Sequence, residues 1–381
     1  MSAYGSNGVR LARALVAAAL ALGAGMLQAQ DIIVGQIGPF TGLPSPDASE
    51  INAGAKAYFD QVNEAGGVRG RKIALFTLDD QFKGDVFAER FKEAMARKPV
   101  ALISPIGSAA LSRLLKDKTL DQADIVIVNA IPGTEAFRAP GHPKLFHIRA
   151  GDKAQLDRIV QHCKTLGVSR LHVLHQDLPI GVAAAAGVRE TAVAVGGLTI
   201  TSTQSKHDDA ALQVAAAESA KADPQGVLVV GSPKFMADAA LALRKAGVTR
   251  AAFALSYLAT PLAVKVIGVD GARGLAITQT FPNPNSPNLP VQREFQATMR
   301  KFGPKIETYS PFHFEGYLSA RVLVAALKKA GGSITPASVT AALHDIGVQD
   351  YGGFRVDFTN GNTGGNWVDI GVVSAAGRLV Y

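Results

Sequence analysis

Few groupings of residues in this chain have the types and spacing that covalent or metal chemistry needs. His172 and His175 lie three apart in the β-like run RLHVLH (170–175), which turns them to opposite faces. No H-E-x-x-H or C-x-x-C accompanies them, so neither a structural nor a catalytic metal is expected. The single cysteine, Cys163, follows His162 in the helix-like AQLDRIVQHCKTLG, and adjacent helical residues point in different directions. No G-x-S-x-G elbow marks a nucleophile. Asp79–Asp80, at a strand end, reads as a pair that caps a turn. GGVRGRK (66–72) has the flavour of a phosphate loop, but it follows a helix and enters a strand, the reverse of the required order. Catalysis, metals, cofactors and nucleotide binding all lack a motif.

One stretch does suggest a ligand. SPIGSAALSRLLK (104–116) ends an apolar run, turns at Gly107 and reopens as a helix with Ser108 at its mouth. A serine-capped helix start attracts anions, because free N–H groups and the macrodipole point outward together. Similar short loops rich in small and polar residues follow the other strand-like runs: GPFTGLPSPD (38–47), AIPGTEAF (130–137), HQDLPIG (175–181), GSPKF (231–235) and SYLAT (256–260). In open parallel sheets, ligands bind beyond the carboxyl ends of strands. Six such loops at corresponding strand ends suggest a cleft.

The elements that would position these loops are legible from periodicity. IIVGQIG (32–38), KIALFTL (72–78), VALIS (100–104), DIVIVNA (124–130) and KLFHIRA (144–150) read as strands, separated by amphipathic helical stretches such as 49–67 and 85–96. From residue 152 the alternation restarts and runs to GLAITQT (274–280). Three helical stretches (291–302, 312–330, 336–345) and two β-like runs (352–358, 366–373) follow. Strands alternating with helices imply α/β architecture with parallel sheets and right-handed crossovers. The late helices are too apolar for surface additions, so they are expected to pack back on the first sheet. The final strand would then return to the second.

Composition agrees with a two-core globular chain: 381 residues, 48% hydrophobic and 18% charged. Arg10 and Arg13 precede a short apolar run (14–27), too short to span a bilayer comfortably, and Ala29 offers a small residue for cleavage. This describes a secretory signal peptide over 1–29, with an uncleaved anchor as the alternative. Its removal takes away two arginines and no acid, which lowers the net charge from +8 to +6. The remaining basic residues are scattered without an aromatic-studded stripe, so nucleic acid is not an expected partner. A lone thiol leaves an exported fold dependent on its core, not on an internal disulfide.

The stretches GQIGPFTG (35–42), INAGAKAYFDQVNEAGGVRGRKIALFTLDD (51–80), RKAGV (244–248) and FHFEGYLSARVLVAALKKAGG (312–332) resemble periplasmic solute-binding proteins of the leucine/isoleucine/valine-binding type, which serve ABC importers. The resemblance covers 31–381. It implies two Rossmann-like α/β lobes joined by three hinge crossings, with a cleft that closes on ligand. Lobe 1 would comprise 31–150 plus 280–351, and lobe 2 would comprise 151–279 plus 352–381. It also implies a monomeric periplasmic protein, cleaved near Ala29, that hands its ligand to an ABC permease in the inner membrane.

Carried over residue by residue, the resemblance places Ser108 where a family serine holds the ligand carboxylate, with the amides of Ser108, Ala109 and Ala110. Pro132 stands where amino-acid binders have a threonine touching both ligand charges. Tyr257 stands about where an ammonium-binding glutamate would be. Asp47 and Ile180 fall at positions often aromatic in relatives, and Gly107 replaces a cysteine of a family disulfide. Asp152 matches a family aspartate near the hinge. Ile131, Pro132, Ile180, Tyr257 and Phe281 would surround the ligand body, and Gly133 and Pro233 complete the candidate set. An unpaired buried ammonium costs several kcal/mol. A carboxylate with an aromatic or aliphatic tail is therefore the expected ligand. Branched-chain or other amino acids remain the alternative, with Asp47 or Asp152 neutralising the amine. A ligand sensor docking to a receptor and an enzyme using the cleft are the rival classes.

Overall fold

The computed structural model describes residues 30–42 and 47–381. The signal-peptide reading of 1–29 therefore lies outside the described residues. Among the described residues, fourteen strands and twelve α-helices follow in order, in two lobes.

The first lobe opens with β1 (Ile32–Gly38), α1 (Asp47–Glu64), β2 (Ile73–Asp79), α2 (Gly84–Ala96), β3 (Ala101–Ile103), α3 (Ser108–Lys116), the short α4 (Thr119–Gln122), β4 (Val126–Val128) and β5 (Leu145–Phe146). These strands form one parallel sheet in the order β2-β1-β3-β4-β5. β1, β3 and β4 are apolar and almost wholly buried, as parallel strands covered by helices on both faces must be.

The second lobe runs through α5 (Asp152–Thr165), β6 (Arg170–Gln176), α6 (Pro179–Val195), β7 (Thr199–Ser205), α7 (Asp209–Lys221), β8 (Gly226–Val230), α8 (Pro233–Lys245), β9 (Ala251–Ala254), α9 (Thr260–Ala272) and β10 (Leu275–Gln279). The chain then returns to the first lobe as α10 (Pro290–Phe302), α11 (Pro311–Lys329) and α12 (Pro336–Asp345). The hairpin β11 (Val348–Asp350) and β12 (Arg355–Asp357) comes next. β13 (Asp369–Val373) and β14 (Leu379–Val380) finish the second sheet, ordered β14-β13-β10-β9-β8-β6-β7 with β13 and β14 antiparallel.

The expected α/β class with parallel sheets in two lobes is what the structure has. The late helices do pack on the first sheet, where Phe295, Met299, Phe314, Leu323 and Val339 join the core of Val34 and Val126. α11 reaches α1 with almost no spacing. A Cβ on Gly54 would lie 1.9 Å from the His313 carbonyl oxygen, and one on Gly316 would lie 1.9 Å from that of Ile51. Only glycine permits that approach.

Three details differ from the sequence reading. Residues 352–358, placed with lobe 2, bury Phe354, Val356 and Phe358 in the first core, and only residues beyond them cross. Strands β4 and β5 are shorter than their apolar runs, because pairing stops where the chain turns toward the cleft and the hinge. Helix α9 was not foreseen. Its stretch carries Gly268 at φ 73°, a break that blurs helical periodicity.

The chain passes between lobes three times: after β5, after β10 and after β12. The first and third passes bond to each other. The His147 N–H donates to the Asn362 carbonyl at 2.7 Å, and the Gly364 N–H donates to the His147 carbonyl at 2.8 Å.

Candidate functional site

A cavity of about 300 Å³ lies between the lobes, beyond the carboxyl ends of both sheets. Its floor and walls come from the starts of helices. Asp47 opens α1, Ser108 and Ala109 open α3, Pro179 and Ile180 open α6, Pro233 opens α8, and Phe312 lies in the first turn of α11. Each helix start carries partial positive charge, so the cavity favours an anion without a basic side chain. Among the described residues, no lysine, arginine, histidine or cysteine lines it.

These helix starts are not equivalent. α6 and α8 begin with proline, which has no N–H to offer. At α8 the Ser232 hydroxyl also takes the Phe235 N–H. At α3 the cap is Gly107, at φ 109°, and no side chain caps the helix. Ser108 is thus the first helical residue and not the cap, a correction to the sequence reading. The change strengthens the anion argument, because among the described residues no side chain takes up the first amides of α3.

Of the expected residues, Asp47, Ser108, Ala109, Ile131, Pro132, Ile180, Pro233 and Tyr257 line this one cavity. Four others do not. Ala110 faces inward with Leu111 and Leu114. Phe281 is fully buried in the first core, 5.3 Å from the Phe354 ring centre, because its pass turns away from the cleft. Gly133 and Asp152 sit behind Tyr257. The Tyr257 hydroxyl donates to Asp152 Oδ1 at 2.5 Å and accepts from the Gly133 N–H at 2.8 Å. Tyr257 therefore presents its ring, not its hydroxyl, to the cavity. A Cβ on Gly133 would fall 2.2 Å from Asp152 Oδ1, so a side chain there would break the arrangement.

A buried polar network underlies this wall. Arg149, in the first hinge pass, pairs with Glu315 of α11 at 2.6 Å and donates to Ser256 of the second lobe at 2.5 Å. Its guanidinium lies 4.9 Å from the centre of the Tyr257 ring. Asn129 donates to Glu315 at 3.0 Å and accepts from the Arg149 N–H at 3.1 Å. Burial pushes the Asp152 carboxyl up, against the opposing pull of the Tyr257 hydrogen bond, Arg138 and Arg149. Burial likewise raises the Tyr257 phenol well above its usual value. Asp152 is thereby held within the protein and, unlike Asp47, does not line the cavity.

Sequence reasoning missed Phe82 and Phe312 as lining residues, together with Ile106, Gly107, Ser112, Leu178, Pro179, Gly231 and Ser232 from stretches it had named. Phe82 follows β2, so the strand-end rule could have found it. Phe312 lies in the first turn of α11 and not in a loop after a strand, so the strand-end rule does not reach it. The other groupings do not line the cavity. Cys163 is buried in the second core, which pushes its thiol up to about 12. His172 and His175 lie within β6. Asp79 accepts from the Thr41 and Gln81 amides, as a turn-capping residue does.

A family model for periplasmic binding proteins matches residues 31–378. The structure of an extracellular ligand-binding receptor from Verminephrobacter eiseniae is similar, with 49% identity over 92% of this chain and 100% of that one, at a TM-score of 0.88. A substrate-binding periplasmic protein from Ralstonia solanacearum shares 29% identity over 92% of this chain and 99% of that one, with a TM-score of 0.83. A possible leucine/isoleucine/valine-binding protein from Rhodopirellula baltica shares the fold, at 19% identity over 94% and 98% of the two chains and a TM-score of 0.85. No curated protein compared with the chain matches it.

Proposed function

The chain belongs to the periplasmic binding protein family, and from that premise we propose that it is the exported, monomeric substrate-binding protein of an ABC importer. In this reading the signal peptide is cut near Ala29. The mature protein captures a small carboxylate between its lobes and delivers it to the permease in the inner membrane. The observation that carries the ligand class is the cavity itself. Its walls are mostly apolar, its charge preference comes from helix starts, and the uncapped end of α3 offers amides from Ser108 onward. The ligand carboxylate lies at that end, and an aromatic or aliphatic body fills the space among Ile131, Pro132, Ile180 and Tyr257. Binding proceeds without turnover, since no histidine or cysteine stands by Ser108 among the lining residues to act as a base or nucleophile.

Asp47, which lines the same cavity, supports a second reading in which the ligand is an amino acid with its ammonium toward that carboxylate. Denaturing the mature protein purified from cells and identifying the released small molecule by mass spectrometry tests both. A thermal-shift screen of acids and amino acids follows. A ligand at about 100 times its Kd adds about 2.7 kcal/mol of stability. Stabilisation by simple acids and not by leucine supports the first reading; the reverse supports the second. Turnover of a stabilising acid by the purified protein would sink both.

A further inference from the structure

Phe82 is held against its own backbone preference at the mouth of the cavity. Gln81 and Phe82 follow β2 in the left-handed region, at φ 53° and 59°, where an aromatic residue is rare. The turn is held by the two residues just before it: Asp80 accepts the Phe82 N–H at 2.8 Å, and Asp79 accepts the Gln81 N–H at 3.0 Å. Yet the Phe82 side chain is 46% exposed, so packing within the protein does not explain the strain. Strained residues of this kind persist where the surroundings over-determine them, and they cluster at ligand sites. The ring lines the cavity and lies over Gly107, where an added Cβ would be 3.6 Å from its edge. Phe82 thus roofs the end of α3. Tyr257, Phe312, Pro132, Pro179 and Pro233 also line the cavity.

We infer that Phe82 is a ligand-contacting, specificity-determining residue that stacks on the ring of an aryl carboxylate whose anion lies at the start of α3. It makes the site select flat aryl acids over saturated acids of equal size. This rests on the carboxylate reading above. A saturated ring offers comparable apolar area but lacks the quadrupole that an aromatic pair adds to burial.

The test measures binding of benzoate and cyclohexanecarboxylate, and of phenylalanine and cyclohexylalanine, to the wild type, Phe82→Leu and Phe82→Gly by calorimetry. The wild type should bind benzoate about 3- to 10-fold more tightly than cyclohexanecarboxylate, the range an aromatic pair supplies. Phe82→Leu should bring that ratio to about 1 while still binding both, because it keeps apolar bulk without the ring. Phe82→Gly should weaken both acids without lowering the melting temperature of the ligand-free protein, since glycine adopts this φ freely. If the acids bind and the Leu variant keeps the wild-type ratio, Phe82 does not select and the inference falls, while the carboxylate reading stands. If only the amino-acid pair binds, the carboxylate reading falls, and the same ratio on that pair decides for or against Phe82. Failure of all four to bind overturns both.

Discussion

The Gly133 N–H and the Tyr257 hydroxyl meet at 2.8 Å across the cleft, joining the loop after β4 in the first lobe to the loop after β9 in the second. The same hydroxyl donates to Asp152 at the start of α5. One phenol therefore satisfies a backbone donor and a buried carboxylate at once.

Removing that hydroxyl should be felt by both partners. Tyr257→Phe leaves the Gly133 N–H and Asp152 short of a partner, which is expected to cost about 1–3 kcal/mol of unfolding free energy in urea. An unchanged denaturation midpoint would show that water replaces the hydroxyl at no cost.

Arg149 and Glu315 are each 1% exposed in their side chains, so neither charge has water to fall back on. Glu315→Gln should destabilise by about 3–5 kcal/mol by leaving the guanidinium unpaired. The double change of Arg149 to Met and Glu315 to Leu should recover much of that loss. A Glu315→Gln variant as stable as the wild type would mean that the pair is not buried in solution.

Asp80 gives a pH signature. Burial raises its carboxyl from the usual range to about 6, against the Phe82 N–H bond and with help from Asp79. The folded state therefore holds this proton more tightly than the unfolded state. The contribution is present at low pH and is lost as pH rises from about 4 through about 6, by at most roughly 3 kcal/mol. Asp80→Asn keeps an acceptor for Phe82 and cannot ionise, so its stability relative to the wild type should rise across that window and level off above it. His147, which burial lowers to about 3, runs in the opposite direction in both proteins and cancels in the difference. A flat difference between pH 4 and 7 would refute the assignment.

The anion site on α3 has a mild probe. Ala109 is the second residue of the helix, where proline is tolerated, so Ala109→Pro removes one amide donor and leaves the fold intact. Affinity for the natural ligand should fall roughly 10-fold, about 1.4 kcal/mol, with little change in the ligand-free melting temperature. Unaltered affinity would place the ligand charge elsewhere.

The close approach of α1 and α11 at Gly54 and Gly316 is testable by volume alone. Gly316→Ala puts a methyl within 1.9 Å of the Ile51 carbonyl oxygen and forces α1 and α11 apart. A loss of at least about 1–3 kcal/mol is expected, seen as a lower urea midpoint. A neutral result would mean that the helices slide past each other freely.

What the sequence determined by itself was the set of elements and where ligands can lie. Period-2 and period-3.6 patterns are local, so β1, α5 or α10 can be read from a dozen residues each, and strand-end loops such as 231–235 follow from them. Eight of the twelve expected site residues, most of them placed by the resemblance, line one cavity, and all eight fall in loops that the strand-end rule marks. Tertiary structure decided the rest. Phe281 and Tyr257 are both aromatic residues just past a strand, yet one is buried against Phe354 and the other walls the cleft. Asp152 is consumed by a hydroxyl 105 positions away, and Arg149 by a carboxylate 166 positions away. Such pairings are set by how two lobes and three crossings pack, and no periodicity within either segment encodes them.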